Sequence, residues 1–111
     1  MNQNFSISGA VLTIRLPAEL DHHSAEQLRQ EAAALLERRN IRHVRFDFAQ
    51  TTFMDSSGIG MLIGCYKLMR FTGGTAEAVC VSGRMKRMLE LSGIGKVIDI
   101  IPTGGEEDAA K

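Results

Sequence analysis

The feature that most constrains the fold is the order in which strand-like and helix-like segments alternate along the chain. Alternating apolar residues predict an N-terminal hairpin through residues 5–16 and later strands at 41–48, 75–81 and 97–101. Apolar residues at helical spacing separate these later strands from one another. Strands joined through a helix run parallel with right-handed crossovers, whereas a hairpin is antiparallel. The order β-β-α-β-α-β-α-β therefore predicts one α/β domain with a single mixed sheet packed with helices.

Helix boundaries follow from capping residues and glycines. We expect Leu20–His23 to form a short loop, and Ser24 with Gln27 to begin the first helix as a capping box. The second helix is predicted to start after Asp55 and to run to about Phe71. Ser82 is expected to cap the third helix, and Gly93 to end it.

Composition narrows the function classes. The 111 residues suit one domain, here 1–102, followed by a flexible tail at 103–111 that is rich in Gly and Glu. Thirteen basic and thirteen acidic residues cancel, and the chain has no Trp, so a nucleic-acid platform is not expected. Cys65 and Cys80 lack metal-type spacing and are expected to be reduced. Without a signal peptide or a transmembrane stretch, we expect a cytoplasmic protein with no membrane partner.

The segment Phe53–Gly60 carries most of the functional information. The apolar residues Phe53 and Met54 precede Asp55, two serines follow, and a glycine-rich apolar segment begins after them. This pattern predicts a strand that turns into a helix, with Ser56 where first-turn N–H groups have no partner within the helix. Such a position suits a hydroxyl cap and equally a phosphate. Ser56 could accordingly be a nucleophile, a helix cap or a phosphorylation site.

The helix after Ser56 has two apolar stripes instead of one. The second stripe contains Met61, Cys65 and Leu68, and apolar residues all round imply a second buried contact. Each glycine inside the helix costs about 0.8–1 kcal/mol relative to alanine, so Gly58, Gly60 and Gly64 suggest that something approaches the backbone closely. Tight packing on the chain's own sheet is the alternative for any single glycine. For the whole arrangement, we predict a protein-docking surface.

Enzymatic and metal-binding hypotheses are weaker. A nucleophile elbow requires glycine two residues before the serine, but Met54 precedes Ser56 at that distance. His22 and His23 are adjacent and have no further ligand at suitable spacing, and no phosphate-binding loop motif is present. A receiver-type phospho-aspartate at Asp55 lacks its acidic pair and late lysine. We therefore expect no enzymatic activity, no metal and no cofactor.

These residues resemble those of STAS-domain anti-sigma factor antagonists. The resemblance covers roughly residues 10–101. It depends chiefly on the segment Leu20–Glu26, on Ile41–Val44 and on the motif Asp-Ser-Ser-Gly-Ile-Gly at Asp55–Gly60. Further matches are Gly64–Lys67, Met85–Arg87 and Ser92–Ile94. The chain departs from the family in its short tail, which lacks the apolar residues of a final amphipathic helix.

The resemblance implies the STAS fold and a partner-switching cycle in sporulation transcription control. The unphosphorylated protein would bind an anti-sigma factor with serine kinase activity and release the sigma factor. Phosphorylation of Ser56 would end this binding until a serine phosphatase restored it. Asp21 stands at the position of the family's acidic residue near the serine. We expect the following residues to contact the partner: Asp21, Asp55, Ser56, Ser57, Gly58, Gly60 and Met61. The alternatives are a STAS module that binds a nucleotide near Asp21 and Ser56, and a stress-signalling scaffold.

Overall fold

Residues 3–103 are the part of the chain that the computed structural model describes, and they form seven strands, three α-helices and one short 3-10 helix. In chain order the elements are β1 (Phe5–Ser8), β2 (Val11–Arg15), β3 (Glu19–Leu20), α1 (His22–Arg38), β4 (His43–Asp47), β5 (Phe53–Met54), α2 (Ser56–Phe71), β6 (Thr75–Val81), α3 (Gly83–Ser92), the 3-10 helix (Ile94–Lys96) and β7 (Asp99–Pro102). The predicted tail lies outside the described residues except for Thr103.

The main sheet has five strands in the order β1-β2-β4-β6-β7. β1 pairs with β2 antiparallel, and the other neighbours are parallel, which confirms the predicted mixed sheet. In register across the centre, Leu12 lies beside Val44 and Val44 beside Ala76. These side chains are buried in the core, whereas the alternate positions carry polar residues such as Arg45 and Glu77. This alternation is what the period of two in the sequence indicated.

Local sequence features explain the buried face of α1 and both ends of α3. α1 places Ala25, Leu28 and Ala32 in the core at helical spacing. α3 begins at the Ser82 cap, whose hydroxyl accepts the Met85 N–H at 3.3 Å. Its C-cap is Gly93, with a φ of 85° that favours glycine. The prediction of both ends of α3 is thus confirmed. None of the helices within residues 3–103 is long and apolar enough to cross a membrane.

Three local predictions were wrong. The structure contains a second, two-stranded sheet of β3 and β5, where the sequence predicted a single sheet. His22 and His23 belong to the first turn of α1 and not to a loop. The last strand starts at Asp99 instead of residue 97, because Ile94–Lys96 continues the chain as a 3-10 helix. All three involve segments of two to four residues, which are too short to show a periodicity.

Candidate functional site

The small β3–β5 sheet brings the starts of α1 and α2 together. The two strands are parallel, with Leu20 opposite Met54, and both side chains are buried. The backbone N–H of Asp55 donates to the carbonyl oxygen of Leu20 at 3.3 Å. In each case an aspartate follows the strand directly, so Asp21 and Asp55 occupy equivalent positions in two parallel strand-to-helix turns. The resemblance implied that Asp21 lies near the serine, and this arrangement agrees with it.

Hydrogen bonds also join the loops that precede the two helices. The buried Thr51 hydroxyl donates to the carbonyl oxygen of Pro17 at 2.9 Å. The backbone N–H of Thr52 donates to the carbonyl oxygen of Ala18 at 2.8 Å. Because buried polar groups are costly to leave unpaired, these bonds fix the two turns relative to each other. The site is therefore held by backbone contacts on both sides.

Asp21 caps α1. Its carboxylate accepts the backbone N–H of Ser24 at 3.0 Å and the Ser24 hydroxyl at 3.1 Å. The Ser24 oxygen in turn accepts the backbone N–H of Asp21 at 3.1 Å, which completes a capping box. These bonds from Ser24 lower the pKa of the Asp21 carboxyl. The prediction that Ser24 is the N-cap with Gln27 as its partner was wrong, since Ser24 occupies the third helical position.

Asp55 caps α2, by accepting the N–H of the second helical residue instead of the third. Its carboxylate accepts the backbone N–H of Ser57 at 2.8 Å, and its φ and ψ of −104° and −174° are extended, as a cap requires. The hypothesis that Ser56 or Ser57 caps this helix is therefore wrong. Ser56 is the first residue of α2, and its side chain is exposed. Since the acid does the capping, both hydroxyls are available for other interactions.

Ser57 faces the neighbouring helix. Its Oγ and the Nδ1 of His22 share a hydrogen bond of 3.3 Å between α2 and α1. Both residues line a groove of about 220 Å³ between the helix starts. The remaining lining residues of this groove are Ala25, Glu26, Arg29, Gly60 and Met61. Ser57 is thus half-buried at the groove wall, whereas Ser56 is exposed to solvent.

A salt bridge forms part of the groove wall. Arg29 donates to both carboxylate oxygens of Glu26, at 3.1 Å and 2.7 Å. The guanidinium lowers the pKa of Glu26 to about 2. Both side chains are nearly half exposed, so the pair adds little to stability, and its main effect is to place opposite charges at the groove.

The two glycines near the start of α2 differ in their surroundings. A Cβ atom added at Gly58 would lie 2.5 Å from Cγ of Met54 and 2.9 Å from Cδ2 of Leu20. A Cβ atom added at Gly60 would meet nothing within 4 Å. Gly58 therefore lets α2 pack closely on the chain's own β3–β5 sheet, the alternative considered for a single glycine. Gly60 lies at the open groove.

The second apolar stripe of α2 packs against α1. Met61 and Cys65 are each only 1% exposed, and Leu68 is 39% exposed. Burial raises the pKa of the Cys65 thiol to about 12. The predicted second buried contact is therefore the one with α1, which leaves Met61 and Cys65 little surface for docking. A docking surface at the exposed start of α2 stays a prediction. Met61 reaches the surface only as part of the groove, so its predicted contact with a partner would involve little area.

Within residues 3–103 the hydrogen bonds at this site are not those of a Ser-His-Asp triad. Ser57 contacts His22, but the nearby Asp21 carboxylate is engaged by Ser24 as a helix cap. Within residues 3–103 no group of three or more His, Cys, Asp or Glu side chains could hold a metal ion. The site thus offers the exposed Ser56, the carboxylates of Asp21 and Asp55, and a narrow groove lined by Ser57. This combination suits covalent modification and protein contact.

Most of the predicted site residues lie at the two helix starts. Asp21, Asp55, Ser56 and Ser57 lie at the two turns. Gly58 lies on the face of α2 that packs on the β3–β5 sheet, and Gly60 and Met61 line the groove. The contributions of Glu26 and Arg29 were missed, because they are ordinary exposed positions on α1. His22 was noted only as a possible metal ligand or base. The one feature of the sequence that could have identified His22 is its position directly after Asp21, the acidic cap of α1.

Comparisons with known proteins agree with this fold. The STAS domain profile matches residues 2–107. The anti-sigma F factor antagonist of Paenibacillus polymyxa is 37% identical over 90 residues, which cover 81% of this chain and 77% of the relative. The anti-sigma-B factor antagonist of Bacillus subtilis is 28% identical over 89 residues, 80% of each chain.

Solved structures give the same result. The anti-sigma factor antagonist SpoIIAA in its unphosphorylated form has a TM-score of 0.72 and 26% identity, over 96% of this chain and 94% of that one. The phosphorylated form of the Bacillus cell fate determinant SpoIIAA has a TM-score of 0.71 and 28% identity, over 96% of both chains. These matches confirm the resemblance and the fold class that were inferred from the sequence.

Proposed function

The chain belongs to the STAS domain family, and on this premise we propose that it is an anti-sigma factor antagonist that works by partner switching. Unmodified, it binds an anti-sigma factor that is also a serine kinase and frees a sigma factor of sporulation transcription. The kinase phosphorylates Ser56 and the complex separates, and a serine phosphatase reverses the modification. The observation that carries the proposal is the exposed Ser56 residue at the start of α2, next in sequence to Ser57, which lines the groove.

The local hydrogen bonds indicate where a phosphate on Ser56 would lie. The N–H of Ser57 already donates to the Asp55 carboxylate, and the N–H of Gly58 donates to the Asp55 carbonyl at 3.0 Å. These two first-turn donors are not free for a phosphate, contrary to the sequence-based expectation that helix N–H groups would bind it. The phosphate would remain at the surface beside Asp55. Because it displaces no buried group, we still expect little change in the fold.

Charge at the docking surface then becomes the switch. A phosphoserine adds about −1.5 to −2 charges at neutral pH, next to a turn that already carries Asp55 and faces Asp21. Covering such a group with a protein that supplies no cation costs several kcal/mol of desolvation. Since each 1.4 kcal/mol is tenfold in affinity, phosphorylation should weaken binding by about a hundredfold or more.

Phosphorylation of the purified protein tests the proposal. The protein is incubated with candidate anti-sigma kinases and ATP, the modified peptide is located by mass spectrometry, and affinity is measured before and after. Ser56→Ala should bind the kinase and lose nearly all phosphorylation, with only slow modification left at other hydroxyls. Ser6→Ala, which removes an exposed hydroxyl on β1, is the matched control and should be modified normally. Phosphate placed mainly on another residue of the wild-type protein, or equal affinity of both forms, would contradict the proposal.

The groove offers a second test of where the partner binds. Gly60 has free space around its missing Cβ, so Gly60→Leu should place a side chain in the groove without disturbing α2. We expect its affinity for the kinase to fall at least tenfold while the far-ultraviolet circular dichroism is unchanged. Gly60→Ala serves as the smaller control and should bind more tightly than Gly60→Leu. Normal affinity of Gly60→Leu would place the interface elsewhere.

The alternative of nucleotide binding has less support. The groove of about 220 Å³ is smaller than typical small-molecule pockets of about 300–1,000 Å³. Asp21, the residue expected to hold the nucleotide, is engaged as the cap of α1. Equilibrium titration of the isolated protein with ATP and GTP distinguishes the two functions, and saturable binding would favour the nucleotide module.

A further inference from the structure

Two adjacent serines stand at the same helix start, yet their surroundings differ. Ser56 is exposed, whereas Ser57 is half-buried at the groove wall. The backbone of Ser57 is held by Asp55 at 2.8 Å, and its hydroxyl is bonded to His22 at 3.3 Å. A kinase that docks on this turn would meet both hydroxyls one residue apart. Something in the substrate must then distinguish them.

We propose that His22 is a positioning residue that restricts phosphorylation to Ser56 by holding the Ser57 hydroxyl against α1. This inference rests on the proposed function, because it concerns the choice of serine by the same kinase. His22 is the first residue of α1, and its position is fixed by the adjacent Asp21 capping box. The contact therefore connects two rigid helix starts and does not depend on a mobile loop.

The chemistry of phosphoryl transfer explains why this contact matters. The serine oxygen attacks the γ-phosphorus of ATP, a new oxygen–phosphorus bond forms, and the bond to the ADP oxygen breaks. The hydroxyl proton passes to a base of the kinase. The attacking oxygen must lie in line with the leaving group. While Ser57 is bonded to His22, its oxygen lies at the groove wall, and this hydrogen bond has to break before the oxygen can take up the in-line position.

The size of the effect follows from the value of one hydrogen bond. A single side-chain hydrogen bond near the surface contributes modestly, so its loss should change the availability of Ser57 by about two- to tenfold. His22→Ala should raise phosphorylation of Ser57 by this factor. His22→Asn should largely restore the wild-type pattern, because a shorter amide can still bond the hydroxyl.

The test removes the preferred site so that the second one can be measured. Initial rates of phosphate incorporation from ATP are compared for Ser56→Ala alone and in combination with His22→Ala, His22→Asn or His23→Ala, and each site is located by mass spectrometry. His23 is the matched control, since it lies in the same helical turn and is exposed. We expect a two- to tenfold rise at Ser57 for His22→Ala only. A loss of helix packing alone would not distinguish His22→Asn from His22→Ala.

The outcomes separate the two proposals. If the wild-type protein is not phosphorylated on Ser56, the proposed function fails, and the role of His22 fails with it. If Ser56 is modified but Ser57 stays at the same rate in the His22→Ala background, only the role of His22 is overturned. Equal rates for His22→Ala and His23→Ala, or for His22→Ala and His22→Asn, would also overturn it.

Discussion

Alanine substitutions at Gly58 and Gly60 should have opposite effects on stability. Both positions lie in α2, so each substitution gains nearly the same helix propensity, about 0.8–1 kcal/mol. At Gly60 the new methyl group meets nothing within 4 Å, and we expect this gain in full. At Gly58 it would lie 2.5 Å from Cγ of the buried Met54. Overpacking of this kind costs about 1–3 kcal/mol.

The difference between the two variants isolates the steric cost. Because the propensity gain is common to both, Gly58→Ala should be less stable than Gly60→Ala by about 1–3 kcal/mol. Urea unfolding followed by circular dichroism measures this as a difference in midpoint on the order of 1 M, at a similar slope. Equal midpoints, or a more stable Gly58→Ala, would show that Met54 moves aside freely and that the close contact does not explain the glycine.

Three further predictions concern the cap, the thiols and the pH dependence. Asp55→Ala removes the cap of α2 and should lower the free energy of unfolding by about 1 kcal/mol, measured by urea unfolding; an unchanged midpoint would contradict the capping role. At pH 8 a thiol reagent should modify the exposed Cys80 in the native protein and reach Cys65, with its pKa raised to about 12, only in denaturant. The Arg29 contact lowers the pKa of Glu26 to about 2 in the folded state, so its stabilising contribution is present above about pH 4.5 and is lost as the pH falls towards 2. Because the pair is exposed, the gap in thermal midpoint between wild type and Glu26→Gln should be small at neutral pH and should close over this range. A gap that widens on acidification would refute the assignment.

The local sequence pattern was sufficient to predict the five-stranded sheet and the long helices. The apolar alternation of residues 11–16 and 75–81 predicts strands because successive side chains point to opposite faces. The helical spacing from Ala25 to Ala32 predicts the buried face of α1 in the same way. The start of α2 at Ser56 also followed from local signals, since an apolar run ends at an acid and two serines. These features depend on residues that are close together in the sequence, and this is why a sequence pattern predicts them.

The tertiary structure decided how the two helix starts are used. Asp and Ser are nearly equal as N-caps, so the sequence could not choose between them, and the pairing of β3 with β5 fixed the extended backbone that makes Asp21 and Asp55 the caps. Likewise, an apolar stripe in the sequence predicts a buried contact but does not identify what makes it. The tertiary structure shows that α1 covers Met61. The bond between His22 and Ser57 joins residues 35 positions apart. Such a contact exists only once two helices have been placed side by side, which is why no local pattern predicts it.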